Sequence, residues 1–87
     1  MRGVLAGQKV ITLVDTGATH NFIDARLVEH RGIESEEFEG LRVQFADGYT
    51  LKCNRMIRDM PLRLNNYEFK ADYHVVNMGD LDILFWG

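Results

Sequence analysis

The run Val10-Ile11-Thr12-Leu13-Val14, followed directly by Asp15-Thr16-Gly17-Ala18-Thr19, decides how the rest of the chain is read. Its β-branched and apolar residues predict a buried strand. A carboxylate at the end of such a strand loses hydration, so its ionised form is penalised unless donors or a partner charge compensate. Gly17 lets the backbone turn sharply and bring polar groups close to a ligand. Thr16 supplies a hydroxyl that can lock the turn. Asp, Thr and Gly are also ordinary turn formers, so the tripeptide alone reads equally as a turn and as a catalytic site.

The chain has 87 residues, one proline, one cysteine and a formal net charge of −3, which predicts a single domain over 1–87. A domain this small buries a modest share of its surface and gains from a stabilising partner. Cys53 is alone, so no disulfide forms within one chain, which fits a reducing, cytoplasmic setting. Ten Lys and Arg are spread along the chain rather than clustered, which excludes a nucleic-acid footprint. No apolar run reaches membrane-spanning length, and no secretory leader is visible.

Outward from Asp15 the apolar period is mostly two. Val4-Leu5 and Val10 to Val14 flank Ala6-Gly7-Gln8-Lys9 and read as a hairpin. After the Asp15 segment a short helix is expected, with Asp24 as N-cap, Ile23 and Val28 as a hydrophobic staple, and Gly32 at the left-handed C-terminal position. Leu27 and Val28 would face the core, and Glu34 to Glu37 would be a solvated connector. Leu41, Val43 and Phe45 alternate with polar residues, as do Tyr49, Leu51 and Cys53. A three-residue loop, Ala46-Asp47-Gly48, keeps one apolar face by pairing Phe45 with Tyr49 and puts Gly48 in the left-handed position. A further hairpin turns at Asn65-Asn66, pairing Leu64 with Tyr67, Leu62 with Phe69 and Met60 with Ala71. Pro61 predicts an edge strand. Asp82 to Gly87 closes the chain as an apolar strand without a polar outer face. The expectation is an all-β domain with one short α-helix.

This order of elements, with Leu13 to Ile23 as its most specific block, resembles the retropepsin family, the homodimeric aspartic proteases of retroviruses and long-terminal-repeat retrotransposons. It is most similar to the protease segment of plant Ty3/gypsy-type polyproteins. Ala46 to Tyr49 and Met78 to Leu84 support the likeness, which covers almost the whole chain. The resemblance implies an acid-protease β-barrel and an aspartic endopeptidase that cleaves a polyprotein. It implies Asp15 as the catalytic carboxylate, one per subunit, and Thr16 in a hydrogen-bonded lock with its mate, with Ala18 completing the turn. Gly17 would present its carbonyl to an extended peptide. Thr19 and His20 stand where retroviral relatives carry acidic substrate-binding residues, and Ala46, Asp47, Gly48 and Tyr49 would form a flap tip over the peptide. No cofactor and no metal are implied. The implied setting is the cytoplasm or a retroelement's virus-like particle.

The likeness also has departures. The family continues Asp-apolar-apolar-apolar-Gly, whereas here Asp82-Ile83-Leu84-Phe85 is followed by Trp86, with Gly87 one place late. The family's C-terminal helix and interface strand are not in this sequence, so the domain reads as truncated at its C-terminus. The alternative is a catalytically silent module of the same fold, used for peptide binding or dimerisation.

Remaining candidates read more blandly. His20 alone reads more readily as a surface residue than as a pocket residue, His30 suits a helix C-terminus, and His74 falls on a polar strand face. Three scattered histidines and one cysteine lack the short ligand spacing of a zinc site. Cys53 reads as a small core residue. Asp80 and Asp82 lack the following Gly and hydroxyl residue and read as loop and strand-start positions.

Overall fold

A computed structural model describes residues 2–5, 7–14, 20–44, 48, 50–79 and 81–85 of the chain. The elements run β1 (Arg2–Leu5), β2 (Gln8–Val14), β3 (Phe22–Asp24), α1 (Ala25–Arg31), β4 (Glu36–Gln44), β5 (Thr50–Leu64), β6 (Tyr67–Val76) and β7 (Ile83–Phe85). Six strands follow one another as β1-β2-β7-β3-β6-β5, and a β1–β5 pairing closes the ring. The remaining strand, β4, is attached along β5 outside that ring. The fold is thus an all-β barrel with one short helix. Among the described residues no helix is long and apolar enough to cross a membrane.

Side-chain alternation along the strands builds two layers. Leu5, Val10, Ile23, Leu62, Tyr73 and Ile83, each at most 2% exposed, fill the barrel, and Leu27 and Val28 of α1 join them. On the opposite face of the sheet, Phe22, Cys53, Val76 and Leu84 form a second buried cluster against Phe38, Met78 and Leu81. Adjacent residues such as Phe22 and Ile23, or Ile83 and Leu84, therefore serve different layers. That is why β7 carries no polar face.

Several expectations are met in detail. Leu64 pairs with Tyr67, Leu62 with Phe69 and Met60 with Ala71, as the alternation requires. Val43 pairs with Leu51 and Gln44 with Thr50, which is the register of a three-residue loop. Gly48 takes φ 87°, the left-handed value expected of it; Phe45 and Tyr49 lie outside the described residues. Gly32, at φ 62°, ends α1 as predicted, with its N–H and that of Ile33 reaching back to Glu29 and Val28 carbonyls.

Others are corrected. β2 is not buried on both faces: Ile11 is 54% and Leu13 50% exposed, because only Val10 and Thr12 point into the barrel. Likewise the apolar residues Tyr67 and Phe69 lie exposed at the tip of the β5–β6 hairpin, beyond the reach of the core. Glu36 and Glu37 are not connector but the start of β4, where the Glu36 carboxylate pairs with Arg58. The first hairpin is tighter than read, since Leu5 already pairs with Gln8. Asp24 occupies the N-cap position yet makes no side-chain cap bond; its carboxylate is committed elsewhere. Pro61 lies within a 15-residue interior strand. It is tolerated because β4 pairs with β5 only up to Met56 and β1 only from Arg63, which leaves Pro61 bonded on the β6 side alone.

Truncating Leu62, which has no exposure at all, leaves a cavity where β5 meets the barrel interior. Leu62→Ala is expected to lower unfolding free energy by about 2–5 kcal/mol in urea denaturation; a loss below about 1 kcal/mol contradicts this packing.

Candidate active site

β7 lies between β2 and β3, parallel to the first and antiparallel to the second. Val14, the last residue of β2, is registered with Phe85, and Phe22, the first of β3, with Leu84. The two strand ends that flank 15–21 therefore stand on either side of the same end of β7. With strands about 4.8 Å apart, they are separated by roughly 10 Å. Val14 is the last described residue before the 15–19 segment.

The opposite end of the three-strand unit is locked by two carboxylates. The Ile11 N–H donates to Asp82 Oδ2 at 2.8 Å, and the Asp82 N–H donates back to the Ile11 carbonyl at 3.2 Å. The Asp82 carbonyl in turn accepts the Asp24 N–H at 2.8 Å. Asp24, 4% exposed, accepts the Met78 N–H on Oδ1 at 2.9 Å and the Arg26 guanidinium on Oδ2 at 3.2 Å. Arg26 also donates to the Gly79 carbonyl. β2, β7, β3 and the segment leading into β7 are thus tied by side chains as well as by the ladder. A buried carboxylate with one charged and one neutral donor has the compensation that burial demands.

A recess of about 520 Å³ opens beside this lock between Gln8, Asp82 and α1. It sits at the start of β2, about 20 Å along the strand from Val14. Its walls mix Asp24 and Asp82 with Arg26, His30 and Arg31, and it belongs to the lock rather than to the Val14 end.

The exit from 15–19 is fastened to β6. The His74 N–H donates to the Asn21 carbonyl at 2.9 Å, and Asn21 Nδ2 donates to the Asp72 carbonyl at 3.2 Å. Above these bonds the His20 ring meets the His74 ring edge-on at 5.1 Å. Phe22 and Phe38 flank His74 at 6.0 and 5.3 Å. His74 is half-buried, and its Nδ1 has no hydrogen-bond partner among the described residues. Burial, then the nearby His20, hold its pKa below the ordinary 6.5, with Asp72 opposing. A depressed histidine favours the fold while neutral, so its contribution is complete above pH 6.5 and is lost as pH falls further.

Of the residues expected at the site, His20 lies half-buried at the exit of the 15–19 segment and Gly48 lies exposed between β4 and β5. Asp15, Thr16, Gly17, Ala18, Thr19, Ala46, Asp47 and Tyr49 lie outside the described residues, as do Asp80, Trp86 and Gly87. Asp82 is a strand-start residue, as read. His74 does not lie on a plain polar face as expected, because β4 brings Phe38 over it. Its position between two apolar-alternating residues gave no sign of that cover. The role of Asp24 in the lock was also missed; an aspartate between Ile23 and an amphipathic turn reads as a cap.

A model of the family described as retroviral aspartyl protease matches residues 4–86. No curated protein matches the chain.

Removing the Asp24 carboxylate strands the half-buried Met78 N–H and takes one of its partners from Arg26. Asp24→Ala is expected to cost about 1–3 kcal/mol in chemical denaturation, and Asp24→Asn less, because an amide oxygen still accepts the Met78 bond. Equal losses contradict the acceptor role.

Proposed function

The chain belongs to the retroviral aspartyl protease family, and from that premise we propose that residues 1–87 act as one subunit of a homodimeric aspartic endopeptidase whose catalytic carboxylate is Asp15. The observation that carries this reading is the juxtaposition of Val14 and Phe22 across β7, which frames the Asp15-Thr16-Gly17 sequence between two fixed strand ends.

The second subunit enters for a chemical reason. One carboxylate cannot serve as base and acid in the same step. Two facing carboxylates cannot both ionise cheaply, so they share a proton at mildly acidic pH. The ionised one takes a proton from water as it attacks the scissile carbonyl, and the protonated one donates to the carbonyl oxygen. A two-fold, self-complementary contact supplies the second Asp15 without further sequence. In this reading Thr16 locks the paired turns, with Ala18 completing each, and Gly17, Thr19 and His20 face the substrate. Ala46, Asp47, Gly48 and Tyr49 form the flap. The substrate is an extended peptide of a polyprotein, bound by main-chain hydrogen bonds as an added strand. The Leu13 to Ile23 block supports a source in a Ty3/gypsy-type retroelement, with a site of action in the cytoplasm or its virus-like particle.

Peptide cleavage at about pH 4–6 tests the reading against Asp15→Asn, which is expected to lose at least about a hundredfold in kcat/KM. Sedimentation is expected to show a dimer, tightened by a transition-state-mimicking peptide. A monomer that neither cleaves nor binds the mimic overturns the protease reading in favour of a silent module of the same fold.

A further inference from the structure

Beside the start of β3 lies a group of rings centred on His74 of β6. We propose that His74 is a positioning residue: together with His20 it holds the start of β3 against β6, and it releases that hold when His74 gains a proton. The inference rests on the protease reading and adds an acid limit to activity that is separate from titration of the Asp15 pair.

The geometry supplies the hold. His20 is the residue after the 15–19 segment, and within three residues the chain makes three separate attachments to β6. These are the His74 N–H to the Asn21 carbonyl, Asn21 Nδ2 to the Asp72 carbonyl, and the His20 ring on the His74 ring. Phe22 then pairs with His74 in the β3–β6 ladder. A displacement of His74 therefore moves the start of β3, to which the turn is joined.

The same geometry makes the hold sensitive to charge. An edge-on contact at 5.1 Å suits two rings of which at most one is cationic. Two imidazoliums at this separation lie well inside the screening length of about 8 Å at physiological salt, so they repel. Every element packed on His74 contributes to the balance. Among the described residues its own strand offers the acidic Asp72; the chain before β3 offers His20; β3, β4 and β5 present Phe22, Phe38 and Met56, which carry no charge. Protonation of His74 is thus opposed by burial and by His20, with Asp72 offsetting them.

The test compares kcat/KM across about pH 3.5–7 for the unmodified chain, His74→Phe and His20→Phe. Phenylalanine keeps a ring in each place and removes the charge. Both variants are expected to move the acid limb down by about one pH unit, mainly through kcat, and to leave the alkaline limb in place. In parallel, NMR of the unmodified chain is expected to show the Asn21 and Phe22 amides shifting together with the His74 ring, and His20→Phe to raise the His74 midpoint towards 6.5. An acid limb identical in all three proteins, or Asn21 and Phe22 amides indifferent to His74 titration, overturns the proposal. A chain that cleaves nothing at any pH instead overturns the protease reading, and the NMR result alone then decides the role of His74.

Discussion

The placement of β7 between β2 and β3 is the constraint on which the rest of the structure depends. A strand bonded parallel on one side and antiparallel on the other fixes two chain ends at the same level. Here those ends are Val14 and Phe22. Nothing in local turn propensity would set their separation; it is the ladder spacing across one intervening strand. Ile83 and Leu84 supply the packing that keeps β7 there, one facing the barrel interior and the other the outer cluster.

Polar groups secure what packing alone would leave free to slide. A three-residue strand such as β7 has few ladder bonds, so register is weakly specified by hydrogen bonding alone. Asp82 answers this by taking the Ile11 N–H and returning its own N–H to the Ile11 carbonyl, while its carbonyl receives the Asp24 N–H. One residue thereby fixes β7 against both neighbours. Asp24 extends the lock to the Met78–Gly79 segment that leads into β7. Both carboxylates lie away from the Val14 end of the strands. They hold the frame, and the chemistry proposed for Asp15 requires a frame that does not shift when substrate binds.

Much of this was readable from residues alone, and the reasons are specific. The β5–β6 hairpin was legible because Leu62, Leu64, Tyr67 and Phe69 alternate on either side of an Asn-Asn turn, and only one register keeps them on one face. The short helix was legible from Gly32 and the Leu27-Val28 pair. What alternation could not convey was which apolar residues are covered. Ile11 and Leu13 look as buried as Val10 in the sequence, but only one face of β2 meets the barrel interior. The length of β5 was hidden because Asn54 to Asp59 break the period, and the ladder there slips between Ile57 and Met60 with Asp59 at φ 51°. His74 was misread for a related reason: its cover comes from β4, which is distant in sequence and joins the sheet outside the closed ring. The Asp15-Thr16-Gly17 sequence, which carries the proposed chemistry, lies outside the described residues; the strands that flank it are described.

The central claim is that Asp15 acts in a pair contributed by two chains. Mixing the unmodified chain with increasing fractions of Asp15→Asn at fixed total concentration, and measuring peptide cleavage after subunits have exchanged, tests it most directly. If both carboxylates are required, activity falls as the square of the unmodified fraction, to about a quarter in an equal mixture. A linear fall, to about half, would mean that each chain works alone and would contradict the account.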